Sequence, residues 1–185
     1  IDHRIIISRG TLIPAISMLT REQAAALMVL GQAMESSAGD PTQAGKIRSE
    51  FFYDPFIAGD LAEHANIFYE IIKGIPHLNY YLINTGGIGE GERYKDIRLE
   101  FTMAILDSLL RGGLEDWGDS PTGFKVPGAI RYVDDIYLHP EKLYSSSEFK
   151  AKQRELNKIR YESVKKLGDS LHPDIREVFS KPGII

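Results

Sequence analysis

The residues of this chain best suited to chemistry lie between positions 84 and 93, which read Asn-Thr-Gly-Gly-Ile-Gly-Glu-Gly-Glu-Arg. An aromatic and β-branched run, Asn79-Tyr80-Tyr81-Leu82-Ile83, leads into them, and a helical apolar pattern through Ile97, Phe101, Ile105 and Leu109 follows. A strand, a glycine loop and a helix can together aim backbone N–H groups at an anion, so this is a candidate nucleotide site. Gly86 and Gly91 have the G-x-x-x-x-G spacing of a phosphate loop, but Glu92-Arg93 stand where lysine and a hydroxyl residue are required. Glu92 would set a negative charge against a phosphate. The loop is therefore not a working phosphate loop. A nucleotide touching it would meet it with its base or ribose end, with Arg93 stacking on it or hydrogen-bonding to it. Gly86, Gly87, Gly89 and Gly91 equally suit turns that need positive φ.

Other reactive side chains do not assemble from the sequence. His3, His64, His77, His139 and His172 are scattered without metal-ligand spacing. Asp134 and Asp135, if on a strand, point to opposite faces, so a turn or edge role is expected there. There is no G-x-S-x-G elbow and no cysteine, which excludes disulfides and thiolate metal sites. A cysteine-free chain fits a reducing cytosol, and a cytoplasmic location is expected. A formal charge of -4 argues against nucleic acid or an anionic membrane as the main partner. No apolar run approaches the roughly 20 residues that span a bilayer.

These residues need elements to hold them. Arg4-Ile5-Ile6-Ile7 reads as a buried strand close behind Ile1, a start that suggests a fragment of a longer protein. Thr20 with Gln23 forms a capping-box pattern before a helix whose face carries Ala24, Leu27, Met28 and Met34. Residues 36–45 read as a loop, and 49–56 as a short aromatic strand running into a turn. Asp60 and Glu63 repeat the N-cap logic before Leu61, His64, Ile67, Phe68, Ile71 and Ile72 at helical spacing, with Gly74 as the residue past the end. The helix after the glycine loop should stop at Gly112-Gly113. Residues 114–144 are less regular, with short runs at 124–126 and 132–138. Ser145 can cap a last charged helix over 144–168, with Phe149, Leu156, Ile159 and Leu167 buried, and Lys152, Arg154, Lys158, Arg160, Lys165 and Lys166 on a solvated basic face. Strands alternating with helices predict an α/β fold: a mixed sheet flanked by helices.

In order and spacing, these motifs resemble the C-terminal part of the ATP-using phosphoenolpyruvate carboxykinases over nearly the whole chain. The family's Leu-Pro-Pro-Val-Ser-x-Leu-Thr corresponds to Ile13-Pro14-Ala15-Ile16-Ser17-Met18-Leu19-Thr20. Its Ser-x-x-Phe-x-x-x-Phe corresponds to Ser49, Phe52 and Phe56. Its Tyr-Leu-Val-Asn-Thr-Gly-Trp, glycine loop and Lys-Arg correspond to Tyr81-Leu82-Ile83-Asn84-Thr85-Gly86-Gly87, Gly89, Gly91 and Glu92-Arg93. The helix ending Gly-x-Leu matches at 104–116. Gly87 replaces the family's tryptophan and Glu92 its lysine.

The resemblance implies residues 1–185 are a single domain or fragment, the C-terminal portion of a carboxykinase-like nucleotide-binding domain. Members convert oxaloacetate and ATP into phosphoenolpyruvate, CO₂ and ADP with Mg or Mn. By the resemblance, Arg93 and Thr102 contact the base side of the nucleotide, beside Gly86, Gly87, Gly89 and Gly91. The family's phosphate loop, metal ligands and catalytic residues precede the matched part. Three readings follow: a piece of a lyase, inactive as the isolated chain; a non-catalytic module binding a nucleotide or protein; or an oligomerising domain built on the charged last helix. The partners implied are a nucleotide and the remainder of the parent chain.

Overall fold

In the computed structural model the described residues are 3–34, 47–49 and 58–180. In chain order they form β1 (His3–Ser8), β2 (Ile16–Leu19), α1 (Arg21–Leu30), β3 (Gln32–Met34), β4 (Ile47–Ser49), α2 (Leu61–Lys73) and β5 (Asn79–Asn84). Then come β6 (Gly87–Ile88), a 3₁₀ turn (Gly91–Arg93), β7 (Lys95–Asp96), α3 (Leu99–Leu110), β8 (Gly118–Asp119) and β9 (Lys125–Val126). The last elements are α4 (Asp135–Leu138), a 3₁₀ turn (Pro140–Leu143), α5 (Ser146–Lys165) and α6 (Pro173–Arg176). The main sheet has the order β1-β5-β2-β9-β8. β1 runs parallel to β5 and every other pairing in it is antiparallel. This is the expected mixed α/β sheet with helices on both faces.

The strict alternation of β5 explains the layers. Tyr80 and Leu82 face a core shared with α1, α2, Val164 of α5 and the α6 region. Tyr81 and Ile83 face the opposite core, with Ile97, Phe101, Ile105 and Leu109 along α3. All four of those α3-side residues are buried, as their spacing requires. Ala24, Ala25 and Ala26 of α1 and Ala62 and Ala65 of α2 are fully buried, small side chains that leave room for the two helices to pack. Thr20 and Gln23 form the expected capping box.

Several expectations are corrected. β1 is the sheet's edge strand, so Ile7 is 69% exposed instead of buried. Met34 lies on β3, because Gly31 closes α1 in the left-handed conformation at φ 50°. Gly74 closes α2 at φ -72°, without a left-handed cap, and Asp60 caps the amide of Ala62. Ile67 and Ile71 lie on the outer side of α2, because the small and aromatic face takes the core. Asp134 and Asp135 open the short helix α4, where Asp135 pairs with Lys142 and is held below the usual carboxylate range chiefly by that bond. The expected loop at 36–45 and most of the aromatic segment at 49–56 lie outside the described residues.

The largest correction is on α5. Ser145 caps it through the amide of Glu148, as expected. Its buried face, however, carries Gln153, Asn157 and Arg160 beside Phe149, Leu156 and Val164, while Ile159 is 43% exposed. Arg160 is not on the solvated face. Its guanidinium lies 5.4 Å from the Phe179 ring and 5.9 Å from that of Phe124, and Nη1 donates to Asn157 Oδ1 at 3.4 Å. Burial lowers its pKa to about 10.

Tyr69 ties α2 to α1 and α6, with its hydroxyl 3.2 Å from Glu22 Oε1 and 3.0 Å from Asp174 Oδ2. Burial first, then the Asp174 hydrogen bond and the Glu22 charge, raises its pKa well above the ordinary 10.0. Burial raises Tyr80 and Tyr81 in the same direction. The folded state therefore holds these protons more tightly than the unfolded chain. Their stabilisation is full below about pH 10 and is lost as pH rises further. Urea unfolding between about pH 8 and 11 should show a falling midpoint, and Tyr69→Phe should make that fall shallower. A midpoint flat across this range would refute the linkage.

Candidate functional site at the glycine loop

The loop is built on Asn84, the last residue of β5 and fully buried. Its Nδ2 donates to the carbonyls of Gly10 at 2.9 Å and Ile13 at 2.8 Å, with that of Gly87 at 3.3 Å. Its Oδ1 accepts from the amides of Gly86 at 3.0 Å and Gly10 at 3.4 Å. One side chain thus joins the turn after β1 to the turn after β5. Beyond it, β6 and β7 pair in an antiparallel hairpin with Gly87 opposite Asp96. Ile88, fully buried, pins that hairpin into the α3-side core.

Two glycines are required by space. A Cβ on Gly89 would fall 2.4 Å from the Arg93 carbonyl oxygen, and its φ of 78° already disfavours any side chain. A Cβ on Gly87 would fall about 2.5 Å from the Tyr94 ring. These close approaches are made within the protein, not to a ligand. The loop amides are similarly engaged: Thr85 donates to Ser8, Gly86 to Asn84, Gly89 to Thr11, Arg93 to Glu90 and Tyr94 to Gly91. The intervening hairpin and 3₁₀ turn also separate the glycines from the start of α3. The strand–loop–helix cradle expected from spacing is replaced by a self-bonded hairpin.

Arg93 lies against the start of α5. Its Nη1 donates to Glu148 at 2.8 and 2.9 Å, and its guanidinium carbon lies 5.1 Å from the Tyr144 ring centre. Lys152 approaches the same ring at 5.7 Å and donates to Glu90 Oε2 at 2.6 Å. Two ion pairs therefore cross between loop and helix, and both cations lie near the Tyr144 ring. Thr11 adds a hydrogen bond to Glu90 Oε1 at 3.3 Å. Exposed ion pairs contribute about 0–1 kcal/mol each, so this clasp sets geometry more than stability. The Glu90 hydrogen bond raises the pKa of Lys152, and burial raises that of Tyr144.

A cavity of about 390 Å³ opens here, lined by Glu90, Gly91, Glu92 and Arg93 of the loop and by Tyr144, Glu148 and Lys152. Gly91 and Arg93 thus line one cavity. Gly86, Gly87 and Gly89 shape the loop behind it. Thr102, half-buried on the first turns of α3 with its amide bonded to the Arg98 carbonyl, is not among the lining residues. Tyr144, Glu148 and Lys152 were invisible to sequence reasoning, since Glu148 meets Arg93 across 55 positions.

A family model for phosphoenolpyruvate carboxykinase matches residues 5–135, which include most of β1, and all of β5, the loop and α3. The chain belongs to the phosphoenolpyruvate carboxykinase family. Phosphoenolpyruvate carboxykinase (ATP) of Wigglesworthia glossinidia brevipalpis is 33% identical over 101 residues, covering 50% of this chain and 18% of that relative. Phosphoenolpyruvate carboxykinase (ATP) of Bacillus subtilis (strain 168) is 30% identical over 148 residues, covering 74% of this chain and 27% of that relative. The chain matches about a quarter or less of the length of these curated relatives. At about 30% identity it is a divergent carboxykinase-family member. Among the described residues, no group of three His, Asp or Glu could hold a metal ion, and no helix is long and apolar enough to cross a membrane.

Proposed function

We propose that this chain supplies the base side of a nucleotide site to a phosphoenolpyruvate carboxykinase, whose phosphate and metal chemistry is carried by other parts of the parent protein. The parent's reaction, on this reading, is that of its relatives' name: oxaloacetate and ATP yield phosphoenolpyruvate, CO₂ and ADP. The observation that carries the reading is the cavity beside Arg93. Its lining sets three carboxylates, Glu90, Glu92 and Glu148, against two cations, Arg93 and Lys152. Such a surface repels a triphosphate but accepts a neutral planar heterocycle, which can stack on a guanidinium or a phenol ring.

The role of these residues is positioning. Phosphoryl transfer depends on placement and electrostatics, and an error of about 1 Å in the bound nucleotide can cost roughly a hundredfold in rate. Glu148 and Tyr144 hold Arg93, and Asn84 holds the loop that carries it. ATP and Mg or Mn are the cofactors this reading gives the parent. Among the described residues, no three His, Asp or Glu are placed to hold a metal ion.

The test is an NMR titration of the isotope-labelled chain with ATP. Amides of Gly91, Glu92 and Arg93 should shift, and Arg93→Ala should weaken the affinity about tenfold, the usual effect of losing one charge-assisted contact. Equal affinity for both proteins would overturn the assignment.

A further inference from the structure

We propose that Glu92 holds the ribose of the nucleotide, accepting hydrogen bonds from its 2′- and 3′-hydroxyls; the inference rests on the reading of the loop as the base side of an ATP site. Of the three carboxylates in the cavity, Glu148 is engaged by Arg93, and Glu90 by Lys152 and Thr11. Glu92 is exposed, lines the same cavity, and has no hydrogen bond or ion pair among the described residues. The cavity's two cations do not serve it, because Arg93 and Lys152 are bonded to the other two carboxylates. Glu92 is the cavity's free acceptor.

Three parts of an adenine nucleotide could meet that carboxylate. A phosphate carries charge of the same sign and is repelled. The pairing edge of adenine offers one donor, N6–H, beside the lone pair of N1, so one carboxylate oxygen would be served and the other opposed. The ribose offers two neighbouring hydroxyls, and a carboxylate has two oxygens side by side to accept from both. Of the three, the diol alone satisfies the whole group. An acidic residue on the ribose is also how dinucleotide-binding folds hold that sugar. Placement agrees with chemistry. A base lying on the Arg93 guanidinium or the Tyr144 ring has its sugar directly beside it, and Glu92 is the neighbour of Arg93 in the same 3₁₀ turn. The phosphates, on the far side of the sugar, then lead away from the three carboxylates.

The experiment compares adenosine 5′-monophosphate with its 2′-deoxy and 3′-deoxy forms, which carry the same base and phosphate. The labelled full chain is titrated with each, followed at the amides of Gly91 and Arg93. Loss of either hydroxyl should weaken binding roughly tenfold, the low end for one hydrogen bond to a charged group. Glu92→Ala should weaken the ribonucleotide and bring the three affinities within about twofold of one another. Any change of sugar pucker is common to both proteins and cancels in that comparison. Glu92 is exposed, so the variant keeps the fold, and a shift at the Arg93 amide reports that the base still binds. Both results together support the proposal. Equal affinities in the unaltered chain, or a discrimination unmoved by Glu92→Ala, overturn it and leave the base-side reading standing. If none of the three nucleotides moves these amides, the base-side reading itself fails, and the ribose contact fails with it.

Discussion

Asn84→Ala should cost the chain about 4 kcal/mol or more of stability, since each buried polar group left without a partner costs about 1–3 kcal/mol. The substitution strips the Ile13 carbonyl and the Gly86 amide of the partner that fully buried Asn84 gives them, and leaves the Gly10 carbonyl with the Ile13 amide alone. Domains of this kind are stable by about 5–15 kcal/mol, so the loss is a large share of the whole. Asn84→Asp should be worse near neutral pH. A carboxylate oxygen would then face the carbonyl oxygens that Nδ2 now serves, with no water to screen it. Urea unfolding of the three proteins tests the ranking. An Asn84→Ala loss under about 1 kcal/mol would mean that the two turns hold their shape without this side chain.

The second large effect is expected at Arg160. Arg160→Ala removes a 1%-exposed side chain lying against Phe124 and Phe179 and bonded to Asn157, and should cost about 3 kcal/mol or more. Arg160→Lys should recover only part of this, because an ammonium cannot lie flat against two rings and hydrogen-bond with a planar fork. Lys158→Ala, on the exposed side of the same helix, should change stability by less than about 0.5 kcal/mol. Similar losses from Arg160→Ala and Lys158→Ala would contradict the buried placement.

Arg160 also marks where sequence periodicity loses its grip. A helix with several lysines and arginines reads as solvated, and nothing local distinguishes the arginine that points inward. What distinguishes it is Phe124 just before β9 and Phe179 after α6, segments outside its own helix. Ile7, Ile67 and Ile71 fail in the opposite sense. Apolar spacing places them in a core, but β1 is an edge strand and α2 packs through Ala62, Ala65, Phe68, Tyr69 and Ile72. Where the signal is local, it is reliable. The β5 alternation, the Thr20–Gln23 box, the Ser145 cap and the Phe101–Ile105–Leu109 stripe each depend on neighbours within one turn or one strand.

The candidate site divides in the same way. Four glycines and an arginine announced the loop, and Glu92 showed that it lacks a phosphate loop's cation. Spacing could not show that the loop's amides donate to oxygens of the loop itself and of the turn after β1, or that Asn84 organises the turn. The α5 half of the cavity was hidden because it rests on pairings across 55 and 62 positions, Arg93 with Glu148 and Glu90 with Lys152.

The central claim is that this loop meets the base of a nucleotide and not its phosphates. The most direct measurement titrates the labelled chain separately with adenosine 5′-monophosphate and inorganic tripolyphosphate. The account predicts that the nucleotide shifts the amides of Gly91, Glu92 and Arg93, while tripolyphosphate leaves them in place. Tripolyphosphate moving those amides as strongly as the nucleotide would contradict it.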